Sequence, residues 1–169
     1  MMDGPAVEEF RRAIGSVSST VDERLLRQKS HDFHWYSPVL TPQLQHCRAD
    51  VVVQPRSEDE LAAVVTAAVK QRLPLTLRGG GTGNYGQSVP LHGGVLVDMP
   101  GLNRVLAVED GSIRVQSGTV IGVALEAALA SGQQLMMYPS TMRSATVGGY
   151  LGGGFAGIGS VRHGIIRDS

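Results

Sequence analysis

The sequence predicts an α+β chain in which a small parallel β-α-β lobe is followed by an antiparallel-sheet lobe with helices. Three observations carry this prediction. Val51-Val52-Val53, a helical pattern over residues 57–72, and the apolar runs 75–78 and 95–98 follow one another as strand, helix, strand and strand. Residues 105–109 and 112–116 flank Asp110-Gly111, a two-residue hairpin signal. The 22 glycines gather mainly in two clusters, one directly behind the run 75–78 and one over residues 148–164.

The first 48 residues read as a helical and aromatic extension. Residues 7–14 and 21–28 are predicted as short helices, the second capped by Ser19 or Thr20. Val21, Leu25 and Leu26 form its apolar stripe, and Arg24, Arg27 and Lys29 its wet side. Residues 30–38 hold the only tryptophan, Trp35, beside Phe33 and Tyr36. His31, Asp32, His34 and His46 are of metal-ligating types, but no second ligand pair at a recognised spacing accompanies them. A packed aromatic segment is the favoured reading, and no metal site is assigned.

From Ala49 the pattern becomes regular. The β-branched run Val51-Val52-Val53 stops at Pro55 and reads as a short buried strand. Ser57 caps the following helix, and Glu60 three residues on completes a capping box. Leu61, Val64, Val65, Ala68 and Val69 recur at helical spacing, and Pro74 punctuates before the next strand. That strand runs into Arg78-Gly79-Gly80-Gly81-Thr82-Gly83-Asn84-Tyr85-Gly86, with five glycines in eight residues from Gly79. Glycine lacks a Cβ, so such a loop can take positive φ and turn successive N–H groups onto an anion such as a phosphate or pyrophosphate. A flexible linker is also glycine-rich, but the strand entering this loop and the run 94–98 behind it argue against one. Asp98, closing that run, reads as a turn former.

In the second half, Gly118 ends the hairpin ribbon and residues 121–130 form an alanine-rich helix stopped at Ser131-Gly132. Residues 134–137 are predicted as a further short strand. Two lobes, each with a glycine-rich loop facing one ligand, are the expected arrangement.

Composition narrows the function. Fifteen basic and fifteen acidic residues cancel, so nothing steers the chain toward nucleic acid or an anionic membrane. No apolar run approaches the roughly 20 residues of a membrane span, and no signal peptide is visible. The single cysteine, Cys47, excludes an internal disulfide framework and fits a reducing compartment, so a cytoplasmic location is expected.

Gly81-x-Gly83-x-x-Gly86 and Gly152-x-Gly154-x-x-Gly157 both satisfy the letters of the dinucleotide fingerprint. That fingerprint requires a helix opening directly on the loop. Residues 87–93 contain Pro90 and no helical period, and residues 160–164 are no better. An NAD-type Rossmann domain is therefore disfavoured, and no Walker-type Lys-Ser or Lys-Thr follows a glycine. A non-Rossmann pyrophosphate cradle made from two loops is the reading that residue types support.

The ordered set Pro74-x-x-x-Arg78-Gly-Gly-Gly-Thr82-Gly83-x-x-Gly86, Gly94-Val-Leu-Val-Asp98, Val115-Gln116-Ser117-Gly118 and Ala145-Thr146-Val147-Gly148-Gly149 resembles the FAD-binding domain of the PCMH, or vanillyl-alcohol oxidase, superfamily. Its flavour is that of the glycolate oxidase and D-lactate dehydrogenase branch. The resemblance covers about residues 49–168 and makes 49–169 a nucleotide-binding domain with FAD between its two lobes. It implies that Arg78, Gly79, Gly80, Gly81, Thr82, Gly83 and Asn84 wrap the pyrophosphate through backbone amides. It further implies that Pro139, Ser140, Thr141, Thr146, Gly148 and Gly149 supply a second wall, with Gly153, Gly154 and Gly157 near the ribityl and flavin portion. Several relatives carry a flavin-attaching histidine where this chain has Thr82, so non-covalent FAD is expected.

The same resemblance implies a flavoprotein oxidoreductase that oxidises a small 2-hydroxy acid or alcohol by hydride transfer to FAD. Family members continue into a cap domain that holds the substrate, so this chain reads as the N-terminal part only, apparently truncated. The alternative is a non-catalytic FAD-binding subunit or truncated product that needs a partner chain. No catalytic residue is assigned; His163 is the local candidate, and a histidine without a catalytic role is the favoured alternative. Arg143 and Arg162 suit a substrate carboxylate or the FAD phosphates, and Tyr85 either contacts the cofactor or anchors the loop. An incomplete domain is expected to self-associate or need a partner, and a monodisperse monomer by light scattering would contradict that.

Overall fold

A four-stranded sheet of order β1-β2-β4-β3 organises the first half of the chain: β1 is Ser19–Thr20, β2 Val51–Val53, β3 Leu75–Arg78 and β4 Val95–Asp98. The computed structural model describes residues 2–166, so the last three positions of the predicted binding domain lie outside the described residues. The chain divides into two units, Met1–Gly101 and Leu102–Ser169.

In the first unit β2 and β3 both pair in parallel with β4, which lies between them, as a β-α-β crossover requires. Val95, Leu96 and Val97 are fully buried, because a central parallel strand is covered on both faces and reads as a continuous apolar run. The crossover helix spans Glu58–Lys70 with Ser57 as its cap, whose hydroxyl accepts the Glu60 N–H at 3.1 Å. The Glu60 carboxylate reaches back one residue further than a capping box predicts, accepting the Arg56 N–H at 2.7 Å. This helix buries Val64, Ala67 and Ala68, whereas Val65 and Val69 of the predicted stripe are exposed.

The N-terminal extension packs into the same unit. Helix α1, Gly4–Ala13, starts earlier than predicted because Asp3 caps it and proline stands in its first turn. It buries Phe10 and contacts the crossover helix. Ser19 and Thr20 do not cap the second helix; they form β1, antiparallel to β2. The cap of α2, Glu23–Lys29, is Asp22, which accepts the Leu25 N–H at 2.9 Å. Only Leu26 of its predicted stripe is buried, in a cluster with Ala49, Val52 and Leu96. A 3-10 helix at Phe33–Tyr36 and the short α3, Thr41–Leu44, carry the chain to β2, making the crossover helix α4. The aromatic segment packs through His34, which is 2% exposed. Phe33, Trp35 and Tyr36 pack on one another, Trp35 and Tyr36 stacked at 3.8 Å between centroids, and this ring cluster is exposed.

The second unit holds the ribbon of β5, Val105–Glu109, and β6, Ser112–Val115, joined through Asp110-Gly111 as expected. Helix α5, Ile121–Ala130, contacts both strands. The predicted strand at 134–137 does not form; Tyr138 alone makes an isolated bridge to Ile158, while the Met137 side chain enters the core with Ile121, Ala145 and Tyr150. Two unpredicted helices follow, α6 at Val147–Gly153 and α7 at Ser160–His163. Leu106, Val123, Leu129, Leu151, Ile158 and Val161 of this unit are exposed. Among the described residues no helix is long and apolar enough to cross a membrane.

Candidate functional site

The glycine loop leaves the C-terminal end of β3, where Arg78 stands in register with Asp98 of β4. Ligand sites in open parallel sheets form at this end of the strands. No helix follows the loop before β4, which removes the Rossmann reading.

The Arg78 guanidinium folds into the loop instead of pointing outward. Its Nε donates to the Lys29 carbonyl at 2.8 Å, Nη2 to the His31 carbonyl at 3.3 Å, and Nη1 to the Gly79 carbonyl at 3.3 Å. Gly81 lies against it at φ +63°, and a Cβ there would overlap the guanidinium. Burial lowers the Arg78 pKa, with the charges of Asp98 and then Asp32 acting against the fall. The side chain therefore shapes the loop, with its fork already committed to carbonyls.

Further anchors hold the tip. The Phe33 N–H donates to the Gly83 carbonyl at 2.8 Å, and the Gly86 N–H to Asp32 Oδ2 at 3.0 Å. The Tyr85 N–H donates to Gln87 Oε1 at 3.2 Å. Between base and tip, among the described residues, the N–H groups of Gly79, Gly80, Gly81, Thr82, Gly83 and Asn84 donate to no protein acceptor. Six successive donors without internal partners, in a loop fixed at both ends, are left available to an anion such as a phosphate group.

Charge near the loop is balanced. Lys29 Nζ lies 2.7 Å from Asp98 Oδ2, which also accepts from Gln54 Nε2 at 3.0 Å. Asp98 is 3% exposed, and among the described residues its Oδ1 has no hydrogen-bond partner. It is thus a buried ion-pair member and not a turn former. Arg78 and Lys29 offset Asp98 and Asp32, so attraction for an anion comes chiefly from backbone dipoles.

His31, Asp32 and His34 adjoin one another: His34 Nδ1 is 2.9 Å from Asp32 Oδ1, and the two imidazoles are 5.2 Å apart. His46 is exposed. Among the described residues no three His, Cys, Asp or Glu side chains are grouped to hold a metal. Burial, then the neighbouring His34, lower the His31 pKa below 6.5, with Asp32 opposing. The unfolded chain then binds the proton more tightly, so this contribution to stability is full above the unfolded value and is lost as pH falls through it. Thermal stability is expected to fall between about pH 7 and pH 5, and His31→Asn to flatten that fall; parallel profiles for variant and wild type would contradict it.

The second glycine-rich segment is built differently. Thr146 caps α6, its hydroxyl accepting the Gly149 N–H at 3.3 Å, and is buried. The Gly148 N–H donates to the Ser117 carbonyl at 2.8 Å, and a Cβ on Gly148 would stand 2.8 Å from Ser117 Cβ. Gly148 therefore has a packing reason as well as any ligand role. Gly153 ends α6 and Gly154 takes φ +61° just behind it. Gly157 sits where a Cβ would strike the Tyr138 carbonyl and, at 2.6 Å, the Tyr150 hydroxyl. That hydroxyl is buried with no hydrogen-bond partner among the described residues, and burial raises its pKa. Ser140 and Thr141 are exposed in the turn after Pro139, and no protein partner is engaged by either hydroxyl among the described residues. His163 closes α7, half-buried.

Sequence reasoning missed Asp32 and Phe33 as loop anchors and Asp98 as a buried pair. An Asp before an aromatic tetrapeptide is an N-cap signal that marks the first; nothing local marks the second.

A family model described as an FAD binding domain matches residues 49–169. The chain is 30% identical over 135 residues to glycolate oxidase subunit GlcD of Bacillus subtilis, covering 79% of this chain and 28% of that protein. It is 38% identical over 122 residues to D-2-hydroxyglutarate dehydrogenase of Pseudomonas putida, covering 69% of this chain and 12% of that one. The chain thus spans about a third or less of the curated relatives it matches. Among solved structures, alkyldihydroxyacetonephosphate synthase superposes with a TM-score of 0.81 at 22% identity, covering 99% of this chain and 32% of that one. 4-Ethylphenol oxidase from Gulosibacter chungangensis gives 0.69 at 28% identity, covering 87% and 28%. The ordered motifs, the parallel and antiparallel sheets and these matches agree: the chain belongs to the FAD binding domain family of the PCMH, or vanillyl-alcohol oxidase, superfamily.

Proposed function

We propose that the chain is the FAD-binding portion of a flavin-dependent oxidoreductase that oxidises a small 2-hydroxy acid. The observation that carries this reading is the run of six partnerless N–H groups over residues 79–84, held on a loop whose interior is filled by Arg78. Such a donor set fits a pyrophosphate and needs no net positive charge. Bound FAD would supply the hydride-accepting ring, which no side chain can replace.

The chain's own residues bind and orient. Gly79 to Asn84 present amides, and Arg78 holds their curvature. Ser140 and Thr141 offer hydroxyl donors, and Pro139, Thr146, Gly148, Gly149, Gly153, Gly154 and Gly157 belong to the proposed binding set by family resemblance. Glycolate, D-lactate and D-2-hydroxyglutarate appear in the names of the relatives, which supports a 2-hydroxy acid as the substrate class. Residues 1–48 are proposed as an extension preceding the binding domain 49–169.

Thr82 stands where an attaching histidine would be, and a hydroxyl offers no imidazole nitrogen to the flavin. FAD is therefore held non-covalently in this proposal. Purified chain mixed with FAD is expected to quench flavin fluorescence saturably, and acid precipitation to leave all flavin in the supernatant. Absence of quenching overturns the FAD reading, whereas yellow colour retained in the washed pellet overturns only the non-covalent attachment.

A further inference from the structure

The segment that holds the glycine loop lies outside the stretch matched by the FAD binding domain family, which begins at residue 49. Phe33 fixes the loop's tip through the Gly83 carbonyl, and Asp32 through the Gly86 N–H. Asp32 is buried, and its second oxygen accepts the His34 N–H at 2.8 Å while facing His34 Nδ1 at 2.9 Å. One carboxylate therefore caps the 3-10 helix and restrains a loop 54 residues away. The six free donors lie between these anchors and the Arg78 anchor at the base.

A glycine-rich loop left unrestrained must lose conformational freedom when it closes on a ligand; one ordered beforehand does not. We infer that Asp32 and Phe33 are positioning residues of the cofactor site, holding Gly83 and Gly86 so that amides 79–84 converge on the phosphates of the dinucleotide. This rests on the FAD reading. The carboxylate is needed because both its oxygens accept. An Asn side chain has one acceptor and one donor group. If its oxygen keeps the His34 N–H, its NH₂ faces the Gly86 N–H, donor against donor; if it turns to Gly86, the cap is lost.

The test is FAD titration of the full chain by fluorescence quenching, with thermal midpoints recorded without FAD. Asp32→Asn is expected to raise the dissociation constant about tenfold or more, the loss of a hydrogen bond to a charged group. Asp22→Ala, which removes the side-chain cap of α2 in the same unit, is expected to lower the midpoint with affinity within about twofold of wild type. Phe33→Pro removes the backbone donor to Gly83, at a first helical position that tolerates proline behind an extended Asp32, together with an exposed ring that touches Trp35 and Tyr36, and is expected to weaken binding about fivefold.

Amide exchange separates positioning from stability. FAD should slow exchange over residues 79–84 in wild type and Asp22→Ala but not in Asp32→Asn, with amides of Val95–Val97 equally protected in all three. Should Asp32→Asn fail to unfold cooperatively, Phe33→Pro decides by the same readings. Wild-type affinity in both variants overturns the inference and leaves the FAD reading standing. Wild-type chain that takes up no FAD overturns both.

Discussion

Replacing Gly81 with alanine is expected to reduce FAD affinity on the order of a hundredfold while the chain still folds. Two costs combine at this position. Gly81 has φ +63°, a region that penalises an L side chain by roughly 1–2 kcal/mol. Its Cβ would also overlap the Arg78 guanidinium. That group is not a flexible end free to withdraw, because it donates to the carbonyls of Lys29 and His31. The loop must move instead, and amides 79–84 move with it. Gly111 supplies the control, since it has φ +74° and nothing within 4 Å of a built Cβ. Gly111→Ala is expected to cost about 1 kcal/mol of stability and leave FAD affinity unchanged. Equal affinity losses in the two variants, measured by flavin quenching beside thermal unfolding, would contradict the loop argument.

How much of this was legible in the sequence depends on how local each cause is. Val51–Val53 and Val95–Asp98 could be read because strands buried on both faces need an unbroken apolar run, and composition records that. The crossover helix could be read because Ser57 and Glu60 write its cap three residues apart. By contrast β1 is two polar residues whose strand state exists only through pairing with Val52 and Val53. Helix α6 has glycine at four of its seven positions, the poorest helix former after proline, so propensity argues against it. It forms because Thr146 caps it and Tyr150 packs into the core with Ile121, Met137 and Ala145. Tertiary packing decides such short helices.

The same distinction applies at the site. The curvature of the glycine loop is a local consequence of Arg78 and Gly81, three residues apart. Its anchoring is not local: Gly86 is restrained by a carboxylate 54 residues upstream. Asp98 looked like a turn former because the sequence shows only what precedes it, three apolar residues, and not Lys29 and Gln54 converging from elsewhere. Glycine content itself has two causes here. Gly81 is required by the loop's own path, and Gly148 by the approach of Ser117. A count of glycines cannot separate them.

Asp98 also sets the second large effect. Lys29→Met is expected to destabilise the chain by about 3 kcal/mol, because it leaves a buried carboxylate without its cation. Asp98 is 3% exposed, and among the described residues its only other hydrogen-bond partner is the neutral Gln54 amide. The opposite deletion is not equivalent. The Lys29 side chain is 25% exposed, so in Asp98→Asn its ammonium can turn to water, and a cost of about 1 kcal/mol is expected. The double variant Lys29→Met with Asp98→Asn should recover most of the loss, since no buried charge remains. Urea unfolding at neutral pH reads all three. Equal costs for the two single variants would mean that Arg78, which also attracts Asp98, compensates the carboxylate without Lys29. The order of the costs carries over to the ligand. Asp98 ends the strand beside the loop, and with its cation removed its negative charge opposes a phosphate held by the amides. Lys29→Met should therefore also weaken FAD binding, less so at high salt, whereas Asp98→Asn should not.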